Sequence, residues 1–198
     1  MLFNLFLEGQ LEEPVAEKIL TYCGHELGTV YGKRGCSYLH SKVNSFQNLV
    51  NEKSGLLILT DFRDTKAACP SEAISTILKI ANPPPNFICR FPVPELESWL
   101  LADAQSLAGF LGIPVSKVPQ DPDKEQFPKQ TLVNLARKGK KRCVCNDIVP
   151  EKDHAAPVAP LYVLTMTRFV LEHWNIDRAT KRSPSLKRCI AKLNLARD

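Results

Sequence analysis

Up to Phe91 the chain alternates short apolar runs suited to strands with apolar residues at helical spacing, and this alternation narrows the possible folds more than any other feature. Leu2 to Leu7 reads as a strand. Pro14 then opens a helix that carries Val15, Ile19, Leu20 and Cys23 on one face and ends at Gly24. A short strand near Thr29 to Tyr31 leads through Gly32-Lys33-Arg34-Gly35 into a second helix marked by Leu39, Val43, Phe46 and Val50. Leu56 to Thr60 is a third strand, a helix from about Ser71 carries Ile74, Ile77 and Leu78, and Asn86 to Phe91 is a fourth strand. The order β-α-β-α-β-α-β predicts right-handed crossovers and an α/β fold with a mostly parallel sheet flanked by helices.

Beyond Pro92 and Pro94 the pattern turns helical. Glu95 to Asp103 reads as the start of a helix, continued by Leu107 to Leu111, and residues 112 to 127 read as a loop holding Pro114, Pro119 and Pro122. Pro128 opens a helix bearing Leu132 and Leu135. Further helices follow at Leu161 to Trp174 and, behind Ser183-Pro184, at Leu186 to Leu193. We therefore expect an α/β core over residues 1–112, with residues 113–198 as a loop and a helical, basic extension packed on it as one domain. Charge follows the same division. Residues 1–130 carry 12 Lys+Arg against 15 Asp+Glu, whereas residues 131–198 carry 14 against 6, a net +8 that includes the run Arg137-Lys138-Gly139-Lys140-Lys141-Arg142. Such a surface suits a phosphate-rich partner, although an exposed loop accounts for such a run equally well.

The chain is 44% hydrophobic and 24% charged, which excludes a disordered or collagen-like chain, and no apolar run approaches the ~20 residues of a membrane span. Met1 to Leu7 has no basic residues before it and reaches Glu8 at once, so it reads as a strand rather than a signal peptide. With seven cysteines, an odd number, the expected setting is cytoplasmic with reduced thiols. Cys143-Val144-Cys145 reads as a strand segment with both thiols on one face. Further zinc ligands (Cys189, His154, His173) lie at no recognised spacing, so these thiols read as buried hydrophobes.

In open α/β sheets the functional crevice lies at the carboxyl ends of the strands. Glu8 ends the first strand there, and Asp61 ends the third, followed by Asp64. If those strands are neighbours, their carboxylates form a cluster able to hold Mg²⁺ and leave room for phosphate oxygens; solvated loop acids are the plainer alternative. Glu95 and Glu97 would point about 200° apart on a helix unless it begins between them. Asp103 is placed to cap the next helix, and Trp99 sits on an apolar face. Lys33 and Arg34, flanked by glycines, suit either a phosphate or a solvated turn.

Phe6-Leu7-Glu8-Gly9 and Leu59-Thr60-Asp61-Phe62-Arg63-Asp64, in this order, resemble the Glu and Asp-x-Asp motifs of the Toprim fold. Pro94-Glu95-Leu96-Glu97-Ser98-Trp99-Leu100-Leu101-Ala102-Asp103, together with Ser183-Pro184-Ser185-Leu186, resembles an uncharacterised prokaryotic Toprim-like family. That family is domain of unknown function 4276, related to nucleases of the overcoming-lysogenization-defect type. The resemblance covers nearly the whole chain. It implies a Toprim-like core and a Mg²⁺ (or Mn²⁺) dependent nuclease, the effector partner of an ABC or AAA ATPase in a setting like phage defence. On that reading Glu8 acts as general acid/base or metal ligand, Asp61 and Asp64 hold the metal, and Glu97 completes the shell. Lys33 and Arg34 grip phosphate, while Lys138, Lys140 and Lys141 contact the nucleic-acid backbone. One position departs from the pattern: the second Asp belongs two residues after Asp61, where this chain has Arg63. Either a shifted turn lets Asp64 replace it and frees Arg63 for phosphoryl charge, or the site is degenerate and the chain is a module that binds an ATPase or nucleic acid.

Overall fold

Leu2–Leu7 (β1), Glu26–Gly32 (β2), Ser54–Leu59 (β3) and Phe87–Arg90 (β4) form one sheet in the computed structural model, which describes residues 1–78, 83–152 and 155–196. The strand order is β2-β1-β3-β4 and every pairing is parallel. This is the expected α/β architecture, and it is consistent with a Toprim-like core. The two central strands read as apolar runs rather than alternations because both faces are covered; Leu5 to Leu7 and Leu56 to Leu59 are all fully buried. The step from β1 to β2 runs one way across the sheet, and the steps to β3 and β4 run the other. Right-handed crossovers therefore put the first helix on one face and the next two on the opposite face.

On one face Phe6, Leu56 and Ile58 pack with Leu39 of α2 (Cys36–Lys42), Val43 of the following 3-10 segment, and Ala73 and Ile77 of α3 (Pro70–Leu78). α1 (Glu12–Tyr22) covers the other, packing on β1 and β2 through its fully buried Val15, Ile19 and Leu20. His25 stacks on Phe3 at 4.7 Å, and its Nε2 hydrogen-bonds the Leu193 carbonyl at 3.0 Å. That bond ties the last helix, Pro184–Leu195, into this unit, which comprises residues 1–93 and 185–198.

Two local devices shape the pairing of β1 with β2. The β1–β2 register shifts between Phe3 and Leu5, leaving β2 one residue longer, and Asn4 Oδ1 accepts the Thr29 N–H at 2.9 Å. At the exit of β2, Gly32 has φ +94°, and a Cβ there would lie 2.2 Å from the Leu7 carbonyl oxygen, so only glycine fits. The chain then folds back over the end of β1. Lys33 N–H donates to Leu7 O at 2.8 Å and Gly35 N–H to Glu8 O at 3.0 Å.

Residues 94–184 make a second, helical unit. Its helices are α4 (Leu96–Ala102), α5 (Ala104–Leu111), α6 (Pro128–Arg137), α7 (Arg142–Ile148), α8 (Tyr162–Glu172) and α9 (Ile176–Thr180), and the last helix, Pro184–Leu195, is α10. The boundary expected near residue 112 falls inside this unit. Trp99 is fully buried, as its spacing predicts, and its carbonyl accepts the Trp174 Nε1–H at 3.0 Å. Asp103 caps α5 by accepting Ser106 N–H. The same buried carboxylate accepts Asn175 N–H at 2.8 Å and pairs with Arg178 through Nε at 2.8 Å and Nη2 at 3.0 Å.

The expected strand at Cys143 to Cys145 is instead the first turn of α7. On a helix residues two apart point about 200° from each other, so Cys143 is exposed while Cys145 is buried. The two thiols do not share a face, and His154 lies outside the described residues. All seven cysteines are free thiols. Within the expected 112–127 loop lie two 3-10 turns, Val115–Lys117 and Pro122–Lys124. Among the described residues no helix is long and apolar enough to cross a membrane.

Candidate metal centre

β1 and β3 are neighbours with Leu7 opposite Leu59, so Glu8 and Thr60 leave the sheet side by side at its switch point. Thr60, fully buried, donates from Oγ1 to Glu8 Oε2 at 2.6 Å, and Asp61 N–H donates to the same oxygen at 3.3 Å. After Asp61 the chain makes a single 3-10 turn, Phe62–Thr65. Phe62 N–H anchors that turn on the Pro92 carbonyl at 3.1 Å, and Thr65 Oγ1 closes it on Phe62 O at 2.7 Å. The turn brings Asp64 to Glu8. Cys36, first residue of α2, arrives from the other side because the Gly35 amide is held by Glu8 O.

Glu8, Cys36 and Asp64 each offer one ligand atom, and the three atoms lie within 4.8 Å of one another. Asp61 belongs to the site through its backbone, its carboxylate lying outside that trio. Arg63 is exposed on the turn. His40, one helical turn after Cys36, feels the Asp64 charge, and its Nε2 is buried without a hydrogen-bond partner among the described residues.

The electrostatics of the cluster favour a cation. Burial raises the Glu8 pKa above the ordinary glutamate value, the Asp64 charge raises it further, and the bonds from Thr60 and Asp61 only partly oppose them. Burial lowers the His40 pKa, against the pull of Asp64, so that imidazole favours its neutral, ligating form. A divalent ion would relieve the Glu8–Asp64 repulsion. Two carboxylates, with water completing the shell, fit Mg²⁺ or Mn²⁺. The Cys36 thiol is a soft donor that Mg²⁺ does not use, and it biases the set towards first-row transition ions.

The other expected site residues lie outside the trio. Lys33 is ion-paired with Glu13, and the Arg34 guanidinium lies 5.2 Å from the centre of the Tyr38 ring. Helix α4 does begin between Glu95 and Glu97. Glu95 Oε2 accepts Lys129 N–H at 3.1 Å. Glu97 is 2% exposed, accepts the Tyr162 hydroxyl at 2.8 Å and lies 3.5 Å from Lys129 Nζ, all within the helical unit. Lys138, Lys140 and Lys141 are exposed in the turn between α6 and α7. Cys36, His40 and Thr60 are site residues that the sequence reading passes over. The i, i+4 spacing of Cys36 and His40 behind a glycine-bounded loop is the signal that marks the first two.

The family model described as "Domain of unknown function (DUF4276)" matches residues 6–194 of the chain. No curated protein and no solved structure matches it.

Proposed function

The chain belongs to the DUF4276 family, and we propose that it hydrolyses phosphodiester bonds of nucleic acid with a divalent metal, Mg²⁺ or Mn²⁺, held by Glu8 and Asp64. The observation that carries this reading is the approach of two carboxylates from separate strand ends, one of them held above its ordinary proton affinity by burial and by the other. Kinship with Toprim nucleases, inferred from the Glu8-Gly9 and Asp61 to Asp64 motifs, points the same way, with Asp64 standing in for the missing second Asp. The metal would supply Lewis-acid polarisation of a phosphoryl oxygen. Thr60 and the Asp61 amide orient the Glu8 carboxylate, whose raised proton affinity suits it to take up or release a proton at Oε1. On this reading Arg63, exposed beside Asp64, would meet phosphoryl charge.

Titrating the full chain with Mg²⁺ and Mn²⁺ against single- and double-stranded DNA and RNA tests the proposal. Cleavage that appears with metal and disappears with chelator is expected. Protein that binds Mn²⁺ through Glu8 yet cuts none of the four substrates would assign the chain to the binding-module reading instead.

The exposed lysines between α6 and α7 extend the reading to the nucleic-acid backbone. Each phosphate contact steepens the dependence of log affinity on log salt by roughly 0.9 for duplex DNA and 0.7 for single strands. Neutralising Lys138, Lys140 and Lys141 together should flatten that slope by up to about 2.7 units on duplex DNA. An unchanged slope would return the run to solvent.

A further inference from the structure

A second feature of the α/β unit lies at the carboxyl end of β4, outside the Glu8 trio. A cavity of about 560 Å³ opens between the end of β4, the first turn of α3 and one side of α10. Its size suits a small organic ligand, for which pockets run roughly 300–1,000 Å³. Among the described residues, Arg90 from β4 and Arg188 and Lys192 from α10 bring cations to its lining, with Ser71 and Ser185 adding hydroxyls. The described residues that line it include no carboxylate.

Among these cations Arg90 bears most directly on the kind of ligand the cavity suits. Its Nη1 donates to its neighbour's carbonyl, Cys89 O, at 2.7 Å, while its Nε is buried with no hydrogen-bond partner among the described residues. A buried guanidinium donor left unpaired is costly, and a bound anion would satisfy it. Nearby thiols cannot neutralise the charge, because burial pushes Cys89 and Cys189 up to about 12. The remaining walls are apolar, from Ile74, Phe91, Val93 and Leu195. Cations at one part of a cavity and an aromatic and aliphatic lining elsewhere match a ligand with a phosphate and a flat, weakly polar body.

We propose that this cavity binds the phosphate of a nucleotide, either a free nucleoside phosphate or the phosphorylated end of an oligonucleotide. The assignment does not depend on the metal site. Calorimetry on the full chain in chelator, with inorganic phosphate, adenosine, adenosine monophosphate and a 5′-phosphorylated dinucleotide, therefore tests it separately from cleavage. The monophosphate should bind at least roughly tenfold more tightly than adenosine, about 1.4 kcal/mol. Arg188→Gln with Lys192→Gln should remove most of that difference, and because Arg188 is exposed and Lys192 only half-buried the change spares the core. Ala191→Trp, at an exposed lining position, should block the monophosphate by filling the cavity without altering charge. A tighter dinucleotide would identify the chain end as the source, and equal or weaker binding the free nucleotide. The proposal falls if wild-type protein binds no phosphate compound more tightly than about 1 mM. It also falls if neutralising Lys138, Lys140 and Lys141 weakens the monophosphate as much as the α10 pair does, since the binding would then be general surface charge.

Discussion

Glu8→Gln and Asp64→Asn are each expected to lower metal-dependent cleavage by roughly 10²–10⁴-fold and to weaken Mn²⁺ binding in parallel. Both changes keep the side-chain shape and remove a charge, so loss of fold is not the expected cause. Stability should move the other way. Glu8 holds its proton more tightly in the folded chain than it would unfolded, so its contribution is fully present in acid and is lost as pH rises through the raised value. At neutral pH and without metal the raised proton affinity of Glu8 therefore counts against the fold, and Glu8→Gln should melt higher than wild type, by a margin that shrinks towards acid. Saturating Mn²⁺ should reverse the order by stabilising wild type alone. Calorimetry together with melting curves at neutral and acid pH checks both halves. Undiminished Mn²⁺ affinity in the two variants would remove the metal centre from consideration.

Asp103→Ala is expected to destabilise the protein by about 3 kcal/mol, the largest effect of a single substitution away from the metal centre. The carboxylate is fully buried, caps α5 and is shared by the Asn175 amide and Arg178, so its removal strands several donors at once. Partial exposure of the guanidinium keeps the figure at the low end for a buried pair. Burial alone would raise the Asp103 pKa, but the bonds from Arg178, Asn175 and Ser106 outweigh it and hold the carboxyl below the usual aspartate value. Its stabilising contribution is thus present above that value and lost as pH falls through the lowered one. Urea unfolding at neutral pH measures the cost, and a series into acid should show wild type losing more stability than Asp103→Ala. A neutral-pH difference below about 1 kcal/mol would mean that the network is solvated rather than structural.

Local periodicity made much of this legible in the sequence. The β-α alternation up to Phe91, the buried Trp99 and the cap at Asp103 all depend on neighbours a few residues away, and there the sequence pattern and the structure agree. Which strands lie side by side is a long-range matter, and only the order β2-β1-β3-β4 shows that Glu8 meets the Asp61 to Asp64 turn. Which acid in that turn faces Glu8 depends on a single 3-10 turn, whose geometry no hydrophobic pattern encodes. Cys36 joins the cluster through a backbone bond from Gly35 to Glu8 O, a contact between residues far apart in the chain. Cys143-Val144-Cys145 shows the opposite failure: three residues fit a two-residue period by chance, and the longer helical context of Arg142–Ile148 overrides it. The return of α10 to the first unit left no local mark at all.

That return bears on how the chain is made. A ribosome releases residues in order, and domains tend to acquire structure as they emerge. The first unit cannot be finished until residues 185–198 appear, after the whole of residues 94–184 has been synthesised. Glu8, Cys36 and Asp64 can therefore assemble early, on a sheet that still lacks the α10 contact at His25. Arg188 and Lys192 are translated only after the whole of residues 94–184. A nascent chain thus carries its acidic cluster well before its cationic cavity, and an interrupted one never acquires the second.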